Sequence, residues 1–208
     1  FYLFSKAALD LNAGTMSVLN GTTPLFSFII ATLWLKLSSN WIQLFGIFTG
    51  MIGLVIFVGY ESIEFSLLAI ILCLLASFLY AFSSNFIFKT KEIEPTYLAS
   101  ITLLIATIIT FPFVFFGNGI DLNQPKEVLW SVGLLGSLCT GLAYMCFVVL
   151  IKRVGPIKAS TVVLIVPVTG MLWANIFLDE IITLTMISGC IFILIGVGLV
   201  NFFKNEET

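Results

Sequence analysis

The side chains able to do chemistry are few, and their types point to binding rather than to bond-making. Ser77, Tyr80 and Ser84 follow i, i+3 and i+7, the spacing of one helical face. Ser137, Thr140 and Tyr144 repeat that spacing later in the chain. Asn20, Thr22 and Thr23 precede Pro24, while Thr169 and Trp173 follow Pro167. Hydroxyls, an amide and aromatic rings can orient a small solute and stack on it. Tyr80, Thr140, Tyr144, Thr169 and Trp173, with Ser77, Ser84, Asn20 and Thr23, are therefore the candidate lining of a binding cavity. The competing structural role is hydrogen bonding between helices and back to the backbone, which Ser and Thr commonly do in lipid. Catalysis fares poorly. There is no histidine, so no Ser–His or Cys–His pair and no histidine-containing metal site can be assembled. No carboxylate lies inside a complete apolar stretch, which argues against an aspartyl intramembrane protease and leaves a coupled proton without a carrier in the visible part.

The elements that must position these residues follow from composition. Of 208 residues, 60% are hydrophobic and 10% charged, against about 25% charged in soluble domains. Such a chain cannot cover a water-facing surface, which excludes a soluble enzyme, a nucleic-acid binder and a disordered tail. Its charges cluster, leaving seven charge-free stretches at 11–35, 37–60, 65–88, 95–120, 128–151, 159–178 and 181–203. About 20 helical residues at roughly 1.5 Å each cross a 30 Å hydrocarbon core. The chain is expected to be an all-α polytopic membrane protein with about seven complete spans and a partial one at the start. Barrel strands would alternate apolar and polar residues over about 10 positions, whereas Leu67–Leu75 and Ile191–Val200 are apolar on every side. The four cysteines, Cys73, Cys139, Cys146 and Cys190, fall inside spans and are expected to act as small packing residues.

Loops alternate sides, so Lys36, Lys89, Lys91, Lys152, Arg153, Lys158 and Lys204 fall on one face and only Lys6 and Lys126 on the other. Basic loops stay cytoplasmic. Asp10, Glu61, Glu64, Asp121, Glu127, Asp179 and Glu180 fall on the far side. The expected location is a cell membrane, plasma or inner, with residues 204–208 as a cytoplasmic C-terminal tail.

Sliding the sequence against itself by 143 residues aligns Ser17 with Ser160, Pro24 with Pro167, Ala31 with Ala174, Gly46 with Gly189, Ile52 with Ile195 and Gly53 with Gly196. A proline and two glycines at one offset each impose a backbone or packing condition. The shift crosses an odd number of helices, so the two copies enter the membrane in opposite directions. Inverted repeats are a common architecture of secondary transporters. Pro24 and Pro167 are expected mid-span as hinges or static kinks. Gly46, Gly50 and Gly53, and likewise Gly189 and Gly196, share small faces suited to close packing. Spans 41–60 and 181–203 are expected to meet at the rim through them. The second copy starts near Phe65, so the first is expected to start roughly 78 residues before Phe1, with Phe1–Asn12 the tail of a divided span.

The runs Ala13-Gly14-Thr15-Met16-Ser17 and Thr23-Pro24-Leu25-Phe26, followed by Gly46 and Gly53, resemble the closing hairpin of the EamA domain. That domain is the five-helix repeat of the drug/metabolite transporter superfamily. Ala159-Ser160-Thr161, Val166-Pro167-Val168, Leu178-Asp179-Glu180, Gly189 and Gly196 resemble it a second time. Glu180 matches the acidic residue the family places between its last two helices, and Lys36-Leu37-Ser38 departs from it in the first copy. The resemblance implies a ten-helix bundle of two inverted five-helix units. Residues 1–60 would be the end of the first EamA repeat and 65–203 the second. It further implies a secondary transporter that moves a small metabolite or drug-like solute by alternating access, with a central cavity and no cofactor. The implied partners are the solute and the lipid bilayer, with no nucleic acid and no assigned oligomeric state. The other class left open is a membrane scaffold or accessory subunit without transport.

Overall fold

The computed structural model describes residues 2–11, 13–38, 40–59, 66–90, 92–115, 125–178 and 181–202. Glu61, Glu64, Lys91, Asp121, Asp179, Glu180, Lys204 and the 204–208 tail lie outside the described residues. Every regular element among the described residues is helical, as a backbone in lipid requires of a single segment. In chain order these are α1 (Tyr2–Ala7), α2 (Ala13–Asn20), α3 (Thr23–Leu33), α4 (Trp41–Val58), α5 (Leu67–Lys89) and α6 (Pro95–Phe115). There follow α7 (Lys126–Leu134), a π-helical segment (Leu135–Leu142), α8 (Ala143–Val154), α9 (Pro156–Ser160), α10 (Val162–Leu178) and α11 (Leu184–Phe202). Among the described residues seven helices are long and apolar enough to cross a membrane, with α2–α3, α7–π–α8 and α9–α10 each counting as one.

Two compact units result, Phe1–Phe86 with Gly155–Thr208, and Ile87–Val154. The first is organised on α4 and α11, which run antiparallel with glycines between them. An alanine Cβ at Gly196 would sit 2.5 Å from the Gly46 carbonyl oxygen, and one at Gly53 2.8 Å from that of Gly189. Moving each partner by 143 residues along the repeat converts the first contact into the second. The same operation converts the contact of Gly189 with Phe57 into that of Gly46 with Val200. The inverted repeat is therefore present as a local pseudo-twofold, and its two copies meet through backbone. Around this seam Leu54, Leu164 and Ile193 form one buried cluster, and Ala31, Ile47, Ile157 and Val200 another. Phe45, Phe48 and Ile52 of α4 and Ile187, Ile191 and Leu194 of α11 are exposed, as side chains that meet lipid tails can be.

One span in each copy is interrupted, though not at matching positions. At each break a threonine bonds back to the carbonyl three residues earlier: Thr22 Oγ1 to Leu19 O and Thr161 Oγ1 to Lys158 O, both at 2.7 Å. The backbone N–H groups of the same threonines take the same carbonyls, at 3.1 and 3.2 Å. Each hydroxyl and N–H together tighten the last turn to 3₁₀ geometry and end the helix.

Three expectations are corrected here. Pro24 lies at the middle of the span Gly14–Leu33 as expected, but not in a helix interior. It occupies the first turn of α3, where a missing N–H costs nothing because the first four N–H groups lack intrahelical partners. Pro167 does lie inside α10, because the second break falls about one turn earlier in its copy. Ser137, Thr140 and Tyr144 do not share an α-helical face, since Leu135–Leu142 is π-helical and Thr140 Oγ1 bonds Leu135 O five residues back at 3.0 Å. The wider turn breaks the i, i+3 register. Cys73 and Cys190 are buried packing residues as expected, but Cys139 and Cys146 are exposed.

Helix α4 starts on a capping box. Asn40 Oδ1 accepts from Ile42 N at 3.1 Å, and Gln43 Oε1 accepts from Asn40 N at 3.2 Å. Asn40→Ala is expected to cost about 1 kcal/mol, read as a melting temperature lowered by roughly 2–4 °C.

Candidate solute-binding site

The candidate residues divide between the two units. In the first, α2 and α3 run alongside α5 in the same direction, since rising positions on one meet rising positions on the other. Cys73 Sγ lies 4.0 Å from Met16 O, Ser77 Oγ lies 3.5 Å from both Leu19 O and Asn20 Oδ1, and Asn85 Nδ2 lies 3.1 Å from Ser27 Oγ. The result is a polar seam within an otherwise apolar unit.

This seam gathers four candidates. Asn20 Oδ1 accepts from Thr23 Oγ1 at 3.0 Å and faces the Ser77 hydroxyl. Ser77 carries one proton, and its nearest acceptor is Cys73 O at 3.0 Å, one turn earlier on its own helix. Ser84 Oγ likewise bonds Tyr80 O at 2.9 Å. Thr23, Ser77 and Ser84 are buried, while Asn20 and Tyr80 are half-buried. Thr169 and Trp173 on α10 are exposed, and Thr169 Oγ1 bonds Val166 O at 2.9 Å. That bond lies beside Pro167, where the ring has removed the N–H of a helix interior. A small cavity of about 190 Å³ opens next to it, lined by Phe57, Pro167, Gly170, Met171, Ile181, Ile182 and Met186.

Thr140 and Tyr144 belong to the second unit and are half-buried. Thr140 sits in the π segment, and a Cβ added at Gly133 or Gly136 would meet nothing within 4 Å. The far end of α8 is tied down, as Lys152 Nζ donates to Thr90 O at 2.9 Å and to Ile93 O. Beside it Glu94 caps α6, its carboxylate accepting from Thr96 N at 3.1 Å and Tyr97 N at 2.8 Å. The Thr96 side chain, then the Tyr97 and Thr96 N–H groups, hold the Glu94 carboxyl below its ordinary range, with a small contribution from Lys152. A depressed carboxylate pKa means a cap present at neutral pH and lost as pH falls through the folded-state value.

Ser27 and Asn85 were not among the sequence candidates, yet both are buried and polar at the heart of the seam. The signal was available, because Asn85 follows Ser84 on the Ser77 face and a carboxamide inside an apolar span is costly unless partnered. No group of three or more metal-ligating side chains occurs among the described residues.

The family model described as the EamA-like transporter family matches residues 67–202. A protein of Clostridium kluyveri described as an uncharacterized transporter is 29% identical over 209 residues, covering 94% of this chain and 65% of its own. The uncharacterized transporter YoaV of Bacillus subtilis is 25% identical, with 92% of this chain and 68% of its own length covered. A similarly described protein of Archaeoglobus fulgidus is 25% identical, with 91% and 68% covered. The chain thus spans about two thirds of the length of these relatives. A solved crystal structure superposes with a TM-score of 0.82 at 14% identity, covering 97% of this chain and 71% of that one, which shows the fold.

Proposed function

The chain belongs to the EamA-like transporter family, and on that premise we propose that it forms part of a secondary transporter carrying a small metabolite or drug-like solute by alternating access. One observation carries the reading: the antiparallel, pseudo-twofold glycine seam between α4 and α11. Two copies of one hairpin related in this way can exchange conformations, so a pathway closed on one side has a symmetry-related form closed on the other.

We assign solute contact to Tyr80, Thr169 and Trp173 in the first unit and to Thr140 and Tyr144 in the second. Tyr80, Thr140, Tyr144 and Thr169 lie within about one turn of the middle of their spans, the depth at which inverted-repeat transporters hold their substrates, and Trp173 follows one turn after Thr169. Ser77, Ser84, Asn20 and Thr23 support them from the polar seam. Pro24 beside the first helix break and Pro167 inside α10 act as hinges, and Gly46, Gly53, Gly189 and Gly196 keep α4 and α11 in contact. The repeats run over 1–60 and 65–203, and 204–208 is a cytoplasmic tail.

The test is flux of a radiolabelled solute panel into liposomes containing the complete polypeptide. Saturable uptake above protein-free liposomes supports the reading. No uptake of any panel member would favour a non-transporting scaffold or accessory subunit.

The orientation is tested separately. In intact cells a cysteine replacing Arg153 is expected to resist an impermeant thiol reagent, and one replacing Asp121 is expected to react, in a background with the four native cysteines replaced. Labelling in the reverse order would invert the assigned topology.

A further inference from the structure

Asn85 is fully buried, with its amide nitrogen saturated. Its two protons face three acceptors, Ala81 O at 2.8 Å from Nδ2, Ser27 Oγ at 3.1 Å and Ser27 O at 3.4 Å. Two of these partners are carbonyls, which only accept, so the nitrogen must face them and the amide orientation is determined. The oxygen is then left over. Among the described residues no group donates to Asn85 Oδ1. Burying an acceptor without a hydrogen bond is costly, so such groups are rare and call for a donor from outside the protein.

We propose that Asn85, held by Ser27, is a specificity-determining residue that accepts a hydrogen bond from an amine or ammonium N–H of the transported solute. This rests on the transporter reading above. The chemistry of the surroundings selects the ligand class. The amide oxygen repels an anion and attracts an N–H. The apolar stretches that flank it, 11–35 and 65–88, hold no acid or base, so recognition proceeds by hydrogen bonding rather than by ion pairing. Aromatic contacts join the same two helices, Phe26 against Phe78 at 5.7 Å between ring centroids and Trp34 against Phe82 at 5.2 Å. Ring faces attract cationic nitrogen.

The test compares uptake of radiolabelled ethanolamine and choline by the complete polypeptide in liposomes. The two share a hydroxyethyl group and a positive charge, but choline has no N–H. The parent is expected to take up ethanolamine at least about tenfold better than choline, the value of one hydrogen bond to a charged group. Asn85→Leu should lose that preference, while Phe86→Leu, an exposed neighbour, should retain it. A resident water at Oδ1 instead of the solute would show as equal uptake of both probes by the parent, and this overturns the proposal. So does an unchanged preference in Asn85→Leu, which would mark a structural role. Uptake of neither probe overturns the ligand class, while flux of any other panel solute leaves the transporter reading standing.

Discussion

Replacing Gly196 by alanine is expected to separate α4 from α11 and to destabilise the protein by more than about 3 kcal/mol, beyond the usual cost of an overpacked core. The added Cβ would lie 2.5 Å from both Gly46 O and Gly50 N, and 2.8 Å from Gly50 Cα. All three are backbone atoms, so no rotamer change relieves the overlap and the helices must move apart. Gly53→Ala is expected to behave alike, since its Cβ would meet the backbone nitrogen of Ile193 at 2.7 Å and the Gly189 carbonyl. Gly50→Ala should cost less, because its nearest obstacle is a terminal methyl of Leu164. Gly198→Ala is the control: nothing lies within 4 Å of its added Cβ, and the exchange gains up to about 1 kcal/mol of helix propensity. Thermal unfolding of the purified protein in detergent checks all four. A Gly196→Ala protein that melts with the parent would mean that α4 and α11 do not touch through these glycines.

Tyr80→Ala and Tyr144→Ala are each expected to lower kcat/KM for the transported solute at least about tenfold, or ~1.4 kcal/mol, the scale of a lost aromatic contact with its hydrogen bond. Leu79→Ala and Leu142→Ala, exposed positions beside each tyrosine or two residues from it, should stay within about twofold. Initial uptake rates at several solute concentrations separate a binding defect, seen in KM, from a defect in the conformational cycle, seen in kcat. Tyrosine variants that transport like the leucine variants would remove both residues from the solute path.

The two predictions differ in how far the sequence alone supports them. The glycine seam was legible because glycine at a fixed offset, on one helical face, has few uses other than close approach. Gly46, Gly53, Gly189 and Gly196 therefore announced the contact before any coordinates did. The polar face Ser77–Tyr80–Ser84 was legible as a face but not as a pairing. Its partners Asn20 and Ser27 lie 57 and 58 residues away from Ser77 and Asn85, and nothing local encodes which span will lie alongside. The spacing of Ser137, Thr140 and Tyr144 misled for a different reason. Periodicity assumes one helical pitch, and the π segment changes it within a run that reads as uniformly apolar.

The sequence by itself determined the class of the molecule. Its scarcity of charge and its stretches of 20 to 26 uncharged residues leave no water-soluble arrangement, and a backbone in lipid then has to be helical. It also determined the inverted relation of the two hairpins, because an odd number of crossings reverses direction whatever the packing. Only the tertiary structure decided where each span breaks, that Pro24 opens a helix while Pro167 lies inside one, and that Asn85 is left with an unpartnered oxygen. The reason is physical. Burial and backbone direction are properties of one segment and its solvent. The satisfaction of a polar atom depends on which distant segment arrives beside it, and a run of leucine, isoleucine and phenylalanine accepts many neighbours almost equally well.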